Sequence, residues 1–354
     1  MKNLPIYDVL DDIKTTLNTE SALILEAPPG AGKSTVVPIS LLDESWLGNK
    51  IIIILEPRRV AARMVAVQMA KLLGEEVGQS VGYQVKMESC YSKQTKLLVV
   101  TEAILVRKLQ SDQALEDVAM VIFDEFHERS IHTDLSLALC LQVQELLRPD
   151  LKLLIMSATL DSLELTNLLG KIPVINSKGK IYDVENIYLE TNIKQPDSKS
   201  INTLLLNITL KSIKEDEGDI LVFLAGSREI QKLQFLLEES LKEKNIEILP
   251  LYSTLSKEKQ DKAISKSHKR KIILSTNIAQ TSLTIEGVKV VIDSGLEKVS
   301  RYNYSNAMNH LELSFISNDS AIQRAGRAGR LSNGKCYKLW HKSKIDRKST
   351  RLNS

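Results

Sequence analysis

Short apolar runs alternate along this chain with longer stretches in which apolar residues recur at a helical period, and the alternation predicts strands and helices in turn. Runs rich in Leu, Ile and Val at residues 22–26, 51–56, 97–101, 120–124 and 153–157 have the length and branching of buried strands. Between the second and third of them, residues 59–73 place Val60, Met64, Val67 and Leu72 along one helical face. A segment at 172–183 with Pro173, Gly179 and scattered lysines interrupts the pattern, which then resumes without repeating the sequence. Strands are predicted at 219–224, 246–251, 271–275 and 288–293, and a helix at 227–242. Alternation of this kind implies an α/β fold, with parallel sheets flanked by helices. A length of 354 residues suits two such domains, placed at residues 1–175 and 176–342, with 343–354 lacking any apolar period and read as a disordered, truncated or artefactual tail. Residues 299–304 and 310–315 alternate around the turn-like SNAMN and predict a β-hairpin.

Three motifs carry chemistry. EAPPGAGKST, residues 26–35, follows the first strand and opens a helical stretch, the setting in which successive backbone N–H groups wrap phosphates. Pro29, Gly30, Ala31, Gly32 and Thr35 form that cradle, Lys33 reaches the β- and γ-phosphate oxygens, and Ser34 holds magnesium. Ala27 stands where the usual pattern begins with Gly. VIFDEFHE, residues 121–128, ends an apolar strand in two carboxylates that point in different directions. Asp124 and Glu125 are then expected to join Ser34 at the metal, with Glu125 also polarising the attacking water; the plainer reading is a solvated strand end. His127, Glu128 and His132 imitate a zinc helix, but histidines five apart do not share a ligand. QRAGRAGR, residues 323–330, sets Gln323, Arg327 and Arg330 at i, i+4 and i+7, which on a helix gives one face with a water-orienting amide and two guanidinium forks. Gly326 and Gly329 cost helix stability and leave that face uncrowded. A solvated basic helix is the plainer alternative.

These motifs arrive in order with EPRRVAAR (56–63), TEAILVRKL (101–109), SAT (157–159), FLAGSREI (223–230) and STNIAQTSLTIEG (275–287). Together they resemble the DEAH-box helicases of superfamily 2, and most closely the bacterial HrpB-type group, over residues from about Leu4 to Trp340. The resemblance implies two tandem RecA-like domains and an ATP- and Mg2+-dependent helicase or translocase acting on single-stranded nucleic acid, with RNA favoured over DNA. By the same resemblance Ser282 senses the γ-phosphate, and His127, Ser157 and Thr159 couple the two sites. Backbone phosphates of the strand would meet Arg58, Arg59 and Thr101 from one domain and Thr276, Asn277 and Thr284 from the other. Thr276 and Thr284 also read as ordinary β-branched residues. The hairpin would guide or pry the strand, with a structural flap as the alternative. Gln280 departs from the Glu common in relatives, which puts a charge contact in doubt. Relatives continue into further domains, so a chain ending here is expected to hydrolyse ATP and unwind poorly.

Composition changes this picture little. Net charge is +3, but residues 251–354 carry +12 against −9 for residues 1–250, weak support for a polyanion partner. No apolar run approaches the roughly 20 residues that span a bilayer, and the N-terminus lacks a signal pattern, so a cytoplasmic protein without membrane attachment is expected. Cys90, Cys140 and Cys336 are far apart and odd in number, as packing residues would be. Two other functions fit parts of the sequence: a nucleic-acid-binding module that uses ATP only as a switch, and a P-loop kinase or transporter ATPase. Intact Glu125 and Gln323 argue against the first; an arginine-rich second domain argues against the second.

Overall fold

The structure, a computed structural model, describes residues 4–158, 170, 172–178, 182–191, 200–241, 245–280, 285–303, 308–330 and 332–342. The chain divides into two compact units, residues 1–180 and 181–354. Among the described residues no helix is long and apolar enough to cross a membrane.

The first unit is built on eight strands: β1 (Ala22–Glu26), β2 (Ile51–Glu56), β3 (Val81–Val85), β4 (Glu88–Cys90), β5 (Leu97–Thr101), β6 (Val118–Phe123), β7 (Lys152–Ser157) and β8 (Val174–Asn176). They lie in the order β4-β3-β5-β2-β6-β7-β1-β8. The β3–β4 pair is antiparallel and the other pairs are parallel. Side chains alternate between two cores. Leu23, Leu25, Ile52 and Ile54 pack with helices α1 (Leu10–Thr19), α2 (Lys33–Ser40) and α3 (Arg59–Leu73) on one face. Ile24, Ile53 and Leu55 pack with α4 (Glu102–Ser111) and α5 (Ile131–Leu146) on the other. Burial on both faces is why these strands read as continuous apolar runs rather than as alternating ones.

The second unit holds β9 (Val184–Tyr188), β10 (Asp219–Phe223), β11 (Ile246–Leu251), β12 (Arg270–Ser275), β13 (Val288–Asp293) and β16 (Gly334–Lys338), ordered β11-β12-β10-β13-β16-β9 and parallel throughout. Helices α6 (Ile201–Glu215) and α7 (Ser227–Ser240) cover one face through Leu205, Leu233 and Leu237. Strands β14 (Leu296–Asn303) and β15 (Met308–Phe315) form a separate antiparallel hairpin, as their alternation predicts. Helices α8 (Lys257–Ile264) and α9 (Asn318–Ala325) complete the described elements used below.

Predicted strands and the 59–73 helix fall where the pattern put them, with shifts of one or two residues: the strand read at 120–124 is Val118–Phe123, so Asp124 lies just past its end. Strands β3, β4, β8, β9 and β16 were not anticipated. Strands β3 and β4 are a short local hairpin, whereas β8, β9 and β16 pair with strands far away in sequence, as with β9 on β16, and a pattern local to the strand does not announce such pairing.

Parallel strands leave all their carboxyl ends along one edge, and in open α/β sheets that edge is where ligands bind. The phosphate loop follows β1, Arg58 follows β2, Thr101 ends β5, the paired acids follow β6 and Ser157 ends β7. Five separate motifs are thereby gathered along adjacent strands.

The antiparallel edge offers a direct packing test. A Cβ on Gly82 of β3 would sit 2.6 Å from the Tyr91 Cβ and 2.7 Å from the Cys90 carbonyl oxygen. Gly82→Ala is expected to destabilise the protein by about 1–3 kcal/mol, read as a lower urea midpoint; an unchanged midpoint would contradict the close approach.

Candidate active site

The loop between β1 and α2 turns through two residues that need positive φ, Gly30 at 84° and Gly32 at 99°. A Cβ on Gly32 would also press on Leu4 and Ile6, at 3.0 and 3.1 Å. Ala31 donates its N–H to the Pro28 carbonyl and accepts from the Ile6 N–H, which draws the loop tightly over the sheet edge. Gly32 forms the N-cap of α2 and no side chain caps this helix. A helix start of this kind presents N–H groups and the positive end of a dipole to an anion. Pro29 and Gly30 are exposed, Ser34 and Thr35 half-buried, and Ala31 buried.

Lys33, the first residue of α2, is 3% exposed, and its Nζ lies 3.2 Å from Oε2 of Glu125, itself 6% exposed. Glu125 occupies the left-handed region at φ 49°, unusual for a residue with a side chain, and this turn separates the directions of the two neighbouring acids. Asp124 Oδ1 accepts the Glu125 N–H at 2.8 Å, while Oδ2 is buried without a hydrogen bond. Burial first, and then the neighbouring Glu125 carboxylate, push the Asp124 carboxyl above the usual aspartate range. Lys33, Ser34 and Glu56 pull in the opposite direction.

A buried carboxylate oxygen without a donor, beside the Ser34 hydroxyl, suits a hard divalent cation that takes oxygen ligands and keeps waters. Ser34 and Asp124 therefore fit magnesium. Glu125, the third expected ligand, faces Lys33 instead.

His127 Nδ1 accepts the Ala158 N–H at 3.3 Å, which leaves the ring proton on Nε2, 3.5 Å from Glu125 Oε2. The link from the paired acids to the SAT motif thus runs through the backbone of its middle residue. Ser157 is buried at the end of β7; Thr159 lies outside the described residues.

In the second unit the structure corrects the reading of QRAGRAGR as one helical face. Helix α9 ends at Ala325, and residues 326–329 continue as turns. Gln323 is on the helix, whereas Arg327 is on the turn and Arg330 lies just after it. Gly329 serves close packing: a Cβ there would meet the Tyr182 carbonyl oxygen at 2.7 Å. Arg324, which sequence reasoning passed over, is fully buried. Its Nη1 lies 2.9 Å from Asp293 Oδ1, its Nε donates to Gln280 Oε1, and its guanidinium lies over the Phe223 ring at 4.9 Å. The signal was present in the apolar Ala321 and Ala325 on either side of it, which mark an inward face.

Gln280 joins this cluster at several points. Its amide NH2 donates to Ser320 Oγ and Gln323 Oε1, its side-chain oxygen accepts from Arg324, and its backbone carbonyl accepts from Arg327 Nε. A glutamate here would keep the acceptor and lose both donations. The departure noted in the sequence therefore exchanges a charge contact for a bifunctional one.

Among the residues expected to meet a nucleic-acid strand, Arg58 donates through Nε and Nη2 to Glu128 Oε2 at 3.3 and 3.2 Å. Arg59 is exposed at the start of α3, and Thr101 is the half-buried N-cap of α4. Thr276 and Asn277 are half-buried where β12 gives way to a short 3-10 turn. Ser282 and Thr284 lie outside the described residues.

A family model described as DEAD/DEAH box helicase matches residues 11–168, and one described as helicase conserved C-terminal domain matches residues 199–332. The chain is 43% identical over 349 residues to an ATP-dependent RNA helicase HrpB of Escherichia coli (strain K12), covering 98% of this chain and 42% of that protein. It is 38% identical over 340 residues to an ATP-dependent RNA helicase HrpA of Borreliella burgdorferi, covering 95% of this chain and 41% of the relative. A crystal structure of the Escherichia coli DEAH/RHA helicase HrpB superposes with a TM-score of 0.90 at 42% identity, over 99% of this chain and 44% of that one. The chain thus spans about two fifths of the length of the curated relatives it matches.

Two substitutions separate structural from ligand-directed charge. Asp124 holds its proton more tightly folded than unfolded, so its contribution to stability is present below the ordinary aspartate value and is lost as pH rises through the raised one. Asp124→Asn should therefore melt higher than the parent at pH 7 without ligand, with the gap closing near pH 4; a lower melting temperature at pH 7 would contradict this. Arg324→Ala should do the reverse, leaving Asp293 buried and uncompensated at a cost of about 3–5 kcal/mol, measured by denaturant unfolding. A loss under about 1 kcal/mol would contradict the buried pair.

Proposed function

The chain belongs to the DEAD/DEAH box helicases, and from that premise we propose that it is a nucleic-acid-stimulated ATPase that couples ATP hydrolysis to movement on, or remodelling of, single-stranded nucleic acid. RNA is the favoured substrate, which the names of the matched relatives support. The observation that carries the reading is the buried Lys33–Glu125 pair beneath a glycine-turned helix N-terminus, with the hydrogen-bond-deficient Asp124 beside it.

Phosphoryl transfer to water needs charge neutralisation on the γ-phosphate and a correctly placed water more than it needs covalent chemistry. The loop N–H groups of residues 30–35 bind the phosphate oxygens, and Lys33 exchanges its carboxylate partner for the β- and γ-phosphates. Magnesium, when bound, neutralises phosphate charge and is held by Ser34 and Asp124. Once Lys33 has moved to phosphate, Glu125 is released to orient and polarise the attacking water. His127, with its Nε2 proton toward Glu125, steadies that carboxylate and ties it to the SAT strand end.

The sequence of the second unit carries no Gly-Lys-Ser, and its proposed part is to act on the phosphoryl group rather than to cradle the nucleotide. Gln323 orients water, Arg327 and Arg330 stabilise charge developing on the phosphoryl group, and Ser282 senses the γ-phosphate. Arginines supplied this way are worth about a thousandfold or more in rate. The proposed strand contacts are Arg58, Arg59 and Thr101 in the first unit and Thr276, Asn277 and Thr284 in the second. Hydroxyl and guanidinium groups address backbone phosphates, so binding is sequence-tolerant and weakens steeply with salt.

Lys33→Ala is expected to lower ATP turnover at least about a hundredfold while single-stranded RNA binding, followed by fluorescence anisotropy, stays within about threefold of the parent. Normal hydrolysis by this variant would sink the assignment of the loop. Turnover that does not respond to RNA or DNA in the parent would favour a binding module that uses ATP as a switch.

A further inference from the structure

A carboxylate given no role above, Glu102 of the TEAILVRKL segment, is bound at both of its oxygens. Glu102, the first residue of α4 and the neighbour of Thr101, accepts from Ser130 Oγ at 2.8 Å on Oε2 and from Thr133 Oγ1 at 2.6 Å on Oε1. Ser130 is the N-cap of α5 and also accepts the Thr133 N–H. The Glu102 carboxylate therefore sits at the N-terminus of a helix other than its own, where hydroxyl donors and the helix dipole both hold it.

What lies immediately before that helix makes the contact more than a cap. Residues 125–129 form the link from the catalytic Glu125 to α5, and two of them, Glu125 at φ 49° and Arg129 at φ 39°, occupy left-handed conformations without being glycine. Such residues keep their geometry only where surrounding contacts over-determine it. Contacts hold this link from three directions. Arg58, in the turn after β2, holds Glu128; the Ala158 N–H holds His127; and Glu102, the first residue of α4 directly after β5, holds Ser130 and Thr133. Arg129 adds a bond to Asp134 within α5 itself. Two of these three tethers start at or directly beside residues proposed to meet the nucleic-acid backbone.

We propose that Glu102 is a positioning residue that passes the state of the strand-contacting position at Thr101 to the Glu125 carboxylate, through its paired hydroxyl contacts at the head of α5. The proposal rests on the ATPase reading above and names the route by which a bound strand raises turnover within the first unit. Displacement of Thr101 on binding backbone phosphate moves Glu102 with it, since the two are consecutive. The head of α5 follows, and the strained link transmits the shift to Glu125. Coupling of this kind requires a contiguous set of contacts biased by both sites, and the chain Thr101, Glu102, Ser130, Thr133 and the 125–129 link supplies one.

The test measures ATP turnover of the full chain, without and with saturating single-stranded RNA, in the parent, Glu102→Ala and Thr133→Val. Thr133→Val removes the shorter hydroxyl bond from the opposite end with little change of shape, so the proposal does not depend on one variant folding. Basal kcat and KM for ATP should stay within about twofold of the parent. Strand affinity should stay within about threefold. The factor by which RNA raises kcat should fall about fivefold or more in both variants, and Glu102→Gln, which keeps one acceptor oxygen, should recover part of it. A structural cap alone would lower the melting temperature and leave the stimulation factor untouched, which overturns the proposal. Basal and stimulated turnover falling in the same proportion also overturns it. A parent that RNA does not stimulate removes both this proposal and the ATPase reading on which it rests, whereas a stimulated parent with equally stimulated variants removes this proposal alone.

Discussion

Burying a lysine against a glutamate at the carboxyl edge of the first sheet is the constraint around which the rest of that unit is arranged. Taking charge out of water costs more than one ion pair returns unless geometry and further hydrogen bonds make up the difference. Here the load is heavier than one pair, since Glu26, Glu56 and Asp124 are also buried at the ends of β1, β2 and β6. Burial and the neighbouring Glu125 carboxylate raise the proton affinity of Asp124. A polyphosphate with a divalent cation would redistribute that charge: Lys33 gains a stronger anion, Asp124 gains a cation, and Glu125 is freed. The cores packed on both faces of the sheet hold these charged groups in place.

The second unit meets a related problem by a different route. Arg324 is fully buried, but its charge is answered by Asp293, by Gln280 and by the face of Phe223. Gln280 then joins this structural arginine to Gln323 and Arg327, the residues proposed to act on phosphate. Buried structure and proposed chemistry in this unit share one side chain, so the turn that carries Arg327 is positioned by the core rather than by the helix before it.

Much of the architecture was legible because buried parallel strands write themselves as apolar runs: β2, β5 and α3 match their predicted bounds. The phosphate loop was legible for a similar reason, since Gly30 and Gly32 are required by positive φ and the lysine follows at once. What stayed hidden depended on partners distant in sequence. Strand β9 becomes a strand by pairing with β16, and nothing local to Val184–Tyr188 announces it. The QRAGRAGR segment was read as one helix because its spacing allows one, yet the chain leaves the helix at Gly326 and packs Gly329 against the Tyr182 carbonyl. Glu102 escaped notice for the same reason: its meaning lies in hydroxyls 28 and 31 residues away.

The central claim is that the Lys33–Glu125 pair is a resting arrangement which a triphosphate takes apart. A crystal structure with magnesium and a non-hydrolysable ATP analogue tests it most directly. The account predicts Lys33 Nζ within hydrogen-bond distance of phosphate oxygens, Glu125 no longer paired with it, and the cation on Asp124 and Ser34. A nucleotide bound with Lys33 still on Glu125, or seated away from the Gly30–Gly32 loop, would contradict it.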